Sequence, residues 1–227
     1  MQVDRDGHNV ADVYSATGSA CSIAANRISY CFDMRGPSVA MDTACSSALT
    51  ACHVACQSLG HGDCSMAVVA GVNALLNHDN YIAFSRMSML SPDGRCKAFD
   101  ASANGFVRAE GVGAVVLKPL SAAQAEGDKI YAVIRGTAAN QDGRTNGITL
   151  PSQQAQAALV RQACQAANIS PGESATSKRM AQERPPVTRS KPPHSVRLCA
   201  RAGDILVSSV RSRPTSDTSR RPPASPA

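Results

Sequence analysis

Two kinds of apolar run alternate along the chain. Residues 38–42 (SVAMD), after Gly36 and Pro37, and residues 66–73 (MAVVAGVN) are short apolar segments and predict strands. The second is apolar almost throughout, the pattern of a strand covered on both faces. Residues 111–117 and 131–138 predict two further strands. Residues 43–59 are Ala-rich, free of Gly and Pro, and followed by Gly60, which predicts a helix with a C-terminal glycine. Residues 152–167 predict another helix, with Ser152 as N-cap just after Pro151. Residues 78–109 predict loop, with turn signals at residues 91–94 (SPDG) and at Asn104 and Gly105. Strands alternating with helices predict a layered α/β architecture. No internal repeat interrupts it.

Composition sharpens this picture at the C-terminal end. The 227 residues are 43% hydrophobic, enough for a packed core. The net charge of +6 is not evenly spread, because residues 174–227 hold 11 Lys and Arg against 3 Asp and Glu. Eight of the 13 prolines lie there too, whereas all eight Tyr and Phe lie before Ala132. Such a tail is expected to build no core of its own. The domain reading is therefore a body over residues 1–173 and a basic, Pro/Arg-rich, disordered tail over 174–227. No apolar run is long enough for a membrane span, and residues 1–6 lack the charged-then-apolar pattern of a secretory signal. Nine cysteines at irregular spacings argue against a disulfide framework, so the expectation is a cytoplasmic protein with reduced thiols.

Cys45 is the residue with chemistry in its surroundings. In MDTACSSALTACHVAC (residues 41–56) it falls where the predicted strand turns into the predicted helix. A thiol there faces the unpaired N–H groups and the positive end of the helix dipole, which favour the nucleophilic thiolate. Ala44, Ser46 and Ser47 are small enough for a tight turn, and backbone N–H groups at such a turn can hold an oxyanion during attack on a thioester. The plainer reading is a buried cysteine acting as a small hydrophobe.

Two other chemistries have weaker support. Cys52, His53, Cys56, His61 and Cys64 lie close together, but Cys52 and Cys56 share a helix face while His53 points about 100° away. Zinc needs converging ligands, so core-facing cysteines on a buried helix are the preferred reading and no metal is expected. The basic tail offers phosphate contacts, yet no aromatic is interleaved for stacking and no recognition element is present, so no nucleic-acid partner is expected.

The surroundings of Cys45 also carry a family likeness. DTACSSAL (residues 42–49) resembles the nucleophile motif of β-ketoacyl synthase domains in type I polyketide synthases. NRISYCFDMRGPSVAMDTACSSAL (26–49), AGVNALL (70–76), MLSPDGRCKAFDASANGFVRAEGVGAVVLKPL (89–120) and IRGTAANQDGRTNGITLPS (134–152) resemble the same family in its order. The resemblance runs from about Gly18 to about Gly172. It implies a thiolase-like α/β fold with αβαβα layers, here incomplete, and a homodimer. It implies a decarboxylative Claisen condensation in which Cys45 takes an acyl chain from the phosphopantetheine thioester of an acyl carrier protein. Malonyl carrier protein is then decarboxylated and its carbanion attacks the acyl-enzyme. No separate cofactor is implied. Glu110 and residues 111–113 match a Glu-Gly-x-Gly segment expected to serve packing.

The resemblance also implies two catalytic histidines, in His-Gly-Thr-Gly-Thr and Asn-Ile-Gly-His motifs, with a lysine between them. His8, His53, His61, His78 and His194 have neither set of neighbours, so this chain alone is not expected to complete condensation. Reading the third base of each codon with the first two of the next gives an account of this. With free synonymous choice, residues 175–184 can then encode Tyr-Val-Glu-Ala-His-Gly-Thr-Gly-Thr, and residues 214–218 can encode Asn-Ile-Gly-His. The single Met codon at Met180, followed by Ala181, forces a glycine where the first motif has one. The tail reads as the product of a frame shift near residues 172–174.

Overall fold

The computed structural model describes residues 13–170, apart from Phe99 and Thr149. The basic tail lies outside the described residues. These residues form two compact units. One takes the described residues up to Ala70 together with Val115–Asp128, and the other takes Gly71–Ala114 with the described residues from Lys129 on.

The first unit opens with helices α1 (Ser15–Ser19) and α2 (Ser22–Cys31), then a 3-10 turn at Ala44–Ser46 runs into α3 (Ser47–His61). Residues 38–42, predicted as a strand, have no ladder partner among the described residues and run as irregular backbone. A strand is a property of pairing, and the apolar run alone does not supply a neighbour. Helix α3 passes through Gly60, the predicted stop, and ends at Gly62. Gly62 adopts φ 81°, where its N–H bonds Leu59 O at 3.3 Å and Asp63 N bonds Ser58 O at 2.9 Å. That closure satisfies the last carbonyls through a left-handed residue, and Gly62 rather than Gly60 occupies it.

Strands β1 (Ala67–Asn73) and β2 (Gly111–Leu117) are paired, as their apolar pattern predicts. They are not covered on both faces. Val69 is buried, whereas Val72 and Val112 are 75% and 79% exposed. Double coverage needs layers on both sides, and among the described residues the sheet has two strands. Helix α5 (Leu120–Ala125) follows β2 and buries Ala123. Lys118, just before α5, closes the turn after it by bonding the Glu126 carboxylate and, at 2.8 Å, Asp128. Both carboxylates raise the Lys118 ammonium above its ordinary value, Asp128 first.

The second unit holds α4 (Asp79–Arg86) and α6 (Gln153–Ala166). Helix α4 lies in the stretch predicted as loop. Tyr81 and Phe84, one turn apart, are covered by the Arg108 guanidinium at 5.2 and 5.1 Å from their ring centres, and Phe84 meets Phe106 edge-on at 5.7 Å. Arginine over an aromatic face and an edge-to-face pair stabilise a short helix that its own sequence marks weakly. The SPDG turn forms, and its polar groups converge on Lys97, whose ammonium bonds Asp93 and lies 3.4 Å from Asn104 Oδ1. Hydrogen bonds from Lys97 and then Ser91 hold the Asp93 carboxyl below the usual carboxylate range. Residues 131–138, predicted as a strand, have no ladder partner among the described residues. Ser152 caps α6 as predicted, its Oγ accepting from Ala155 N at 3.2 Å.

Candidate active site

Cys45 sits in the 3-10 turn that leads into α3, and its side chain is exposed. The turn is built by the residues around it. Ala44 adopts φ 54°, the left-handed region that an L side chain disfavours. Asp42 Oδ1 accepts a hydrogen bond from Ala44 N at 2.8 Å, an Asx-type closure. On the other side, Ser47 Oγ donates to Ala44 O at 2.6 Å and accepts from Thr43 N at 2.9 Å. Ser46 Oγ donates to Thr43 O at 2.8 Å, and Thr43 Oγ1 shares hydrogen bonds with Ser46 Oγ at 2.8 Å and Thr50 Oγ1 at 3.1 Å. The thiol is thus presented at the start of a 15-residue helix, where the dipole favours negative charge.

About two and three turns beyond Cys45, on α3, the thiols are of another kind. Cys52 is 4% exposed and Cys56 is half-buried, and the two are hydrogen-bonded to each other. Burial pushes the Cys52 thiol up. It pushes Cys56 up to about 11, with the charge and the hydrogen bond of Cys52 adding to burial. This is the predicted core-facing pair. Among the described residues no three His, Cys, Asp or Glu side chains converge as a metal site. The eight cysteines described are free thiols.

In the second unit Glu110 and its neighbours have a structural role of a different sort from the one predicted. Glu110 Oε1 accepts from Leu75 N at 2.6 Å, and Asn73 Nδ2 donates to Ala109 O at 2.5 Å, so the end of β1 and the chain just after it are fastened to the chain before β2. Gly111 and Gly113 are not close-packed, because a Cβ at either meets nothing within 4 Å. A recess in this unit, about 420 Å³, is lined by residues of the NQDG loop and the chain after it, among them Asp142, Arg144 and Ile148. That loop is tied to α6 by Asn140 Nδ2, which donates to Ala155 O at 2.8 Å. The bonds that close the Cys45 turn are made by Asp, Thr and Ser side chains, and no imidazole takes part in them.

The motif around Cys45 pointed to the thiol but not to what holds it. Asp42 and Ser47 stood in the quoted string as neighbours only. The signal that would have singled them out is an Asp two residues before a position that must turn left-handed.

Comparison with known proteins shows the family. The family description "Beta-ketoacyl synthase, N-terminal domain" matches residues 1–123, and "Beta-ketoacyl synthase, C-terminal domain" matches residues 131–175. The chain is 55% identical over 162 residues to a phenolphthiocerol/phthiocerol polyketide synthase of Mycobacterium tuberculosis, covering 71% of this chain and 9% of that protein. It is 53% identical over 159 residues to a highly reducing polyketide synthase of Cryptosporiopsis sp., covering 70% of this chain and 7% of that one. Among solved structures, the ketosynthase from module 6 of the Bacillus subtilis bacillaene synthase superposes with TM-score 0.72 at 42% identity, over 78% of this chain and 32% of that one. The oxazolomycin ketosynthase domain from Streptomyces albus superposes with TM-score 0.67 at 45% identity, over 69% and 28%. The chain therefore spans less than a tenth of these curated relatives and about a third of the solved ketosynthases. It has part of the thiolase-like fold of those ketosynthases, and it belongs to the β-ketoacyl synthase family in the form found in type I polyketide synthases.

Proposed function

We propose that this chain carries the acyl-accepting step of a β-ketoacyl synthase, with Cys45 as the nucleophile. The observation that carries the reading is the exposed thiol on a left-handed, hydrogen-bonded turn at the start of α3. The Cys45 thiolate attacks the carbonyl carbon of an acyl thioester held on the phosphopantetheine arm of an acyl carrier protein. A bond forms between Cys45 Sγ and that carbon, and the carbonyl electrons move to oxygen. The backbone N–H of Cys45 stabilises the oxyanion. Collapse breaks the bond to the carrier sulfur, and the proton lost by Cys45 ends on the departing thiol. The step uses neither a metal nor a cofactor belonging to the chain.

Condensation itself needs a second carrier-bound malonyl unit and groups that stabilise the enolate formed on decarboxylation. The 227 residues contain neither histidine motif of the family, so acyl transfer is the step assigned to this chain by itself. The family match to the C-terminal domain ends at residue 175 while the sequence continues to 227, which supports a partial domain over residues 1–173 followed by a frame-shifted segment. The acyl carrier protein as partner and a homodimeric assembly are part of the same reading. Among the described residues no helix is long and apolar enough to cross a membrane.

The experiment is intact-protein mass spectrometry after incubation with an acyl-N-acetylcysteamine thioester. One acyl adduct, mapped to Cys45 and absent in Cys45→Ala, is expected. Equal acylation of Cys45→Ala would overturn the reading.

A further inference from the structure

Ala44 is held at both of its peptide groups. Its N–H is taken by Asp42 Oδ1 at 2.8 Å and its C=O by Ser47 Oγ at 2.6 Å, while the same Ser47 oxygen accepts from Thr43 N at 2.9 Å. A non-glycine residue at φ 54° persists only where its surroundings over-determine it. Ser47 is suited to this because one hydroxyl both donates and accepts, bridging the residues on either side of the Thr43–Ala44 peptide. Cys45 follows Ala44 directly, so the direction of its Sγ and of its N–H is set by the torsions that these bonds fix.

We propose that Ser47, acting with Asp42, is a positioning residue for Cys45. Its hydroxyl locks the left-handed Ala44 and so aligns thiol and backbone N–H for attack on a thioester. The proposal rests on the reading of Cys45 as acyl acceptor. It separates two reactions of the same thiol. Alkylation by iodoacetamide requires an accessible thiol, whereas acyl transfer also requires the carbonyl oxygen to meet a donor as the bond forms. Releasing the clamp should impair the second much more than the first.

The test measures, on the full chain, the rate of Cys45 acylation by an acyl-N-acetylcysteamine thioester against its rate of alkylation by iodoacetamide. Cys52, which is 4% exposed, reports in the same mass spectra whether the fold survives, because unfolding exposes it to iodoacetamide. Ser47→Ala is expected to slow acylation by about tenfold or more, the scale of a misaligned reacting group. Alkylation of Cys45 should change by less than about twofold, since it lacks the alignment requirement. Ser47→Thr keeps a hydroxyl that can donate and accept, and should restore most of the acylation rate. Ser47→Ala acylating as fast as the unaltered chain, with Cys52 protected, would overturn the proposal, as would failure of Ser47→Thr to rescue. Where Ser47→Ala exposes Cys52, Asp42→Ala decides, because it frees the other end of the same residue; unchanged acylation there overturns the clamp. Absence of acylation in the unaltered chain, with iodoacetamide still reaching Cys45, would instead defeat the reading of Cys45 on which the clamp depends.

Discussion

Cys45 and the Cys52–Cys56 pair belong to one stretch of chain, and the same functional group is exposed in the first and packed toward the core in the second. Cys45 stands ahead of the helix, exposed, on a turn braced by side-chain oxygens. Cys52 and Cys56 lie on the buried side of α3, where burial and their mutual contact favour the neutral thiol. The residue type therefore says little about reactivity; position relative to the helix terminus and to solvent decides it. Seven positions separate the exposed thiol proposed as acyl acceptor from a thiol that is 4% exposed.

The largest effect should come from removing either member of that contrast. Cys45→Ala is expected to abolish acyl-thioester labelling, while Cys52→Ala leaves the label in place and instead lowers stability. Mass spectrometry and a urea unfolding curve on the two variants check this. A label that follows Cys52 would reverse the comparison.

The contrast was only partly legible in the sequence. Strands β1 and β2 and helix α6 with its Ser152 cap follow from uninterrupted apolar or periodic runs, because such runs are local properties. The apolar segment at 38–42 and residues 131–138 failed as strands because pairing depends on a neighbour that local pattern does not encode. Helix α4 was missed since Arg108, more than twenty residues away, covers its aromatic side chains. Cys45 stands out in the sequence through its motif, while the strand expected just before it does not form among the described residues. Its clamp does not stand out, because the roles of Asp42 and Ser47 exist only once Ala44 turns left-handed.

A second measurement sharpens the comparison by rate. At pH 8, in the folded chain, iodoacetamide should alkylate Cys45 at least about a hundredfold faster than Cys52, the range expected between an exposed thiol and one inside a closed helix face. In guanidinium the two rates should converge. Persistence of the gap after unfolding would show that something other than position separates them.

A third uses pH. Cys56 in the folded chain loses its proton near 11, above its ordinary value of 9.0, so the folded state favours the neutral form. Stability from this group is fully present below about 9 and is lost as pH rises through about 11. Urea midpoints measured from pH 8 to 11 should fall over that window, and Cys56→Val should flatten the fall. An unchanged slope in Cys56→Val would remove the pair from the account.

The smallest effect concerns the far end of the helix. Gly62→Ala places a side chain at φ 81° and should cost about 1 kcal/mol, the usual penalty for an L residue there. The last turn of α3 should loosen and Cys56 alkylation rise modestly, with Cys45 acylation unchanged. Acylation that falls together with Cys56 protection would mean that the two ends of α3 are coupled.

Ala44 gives the Cys45 turn a direction in sequence space. Glycine at that position would relieve a left-handed alanine and stabilise the fold by about 1 kcal/mol. The same change would widen the torsional freedom of the residue next to Cys45. Selection for robustness alone would drift toward Ala44→Gly, and selection for turnover would hold the alanine. Which residue a lineage keeps at that site thus reports which pressure it has been under.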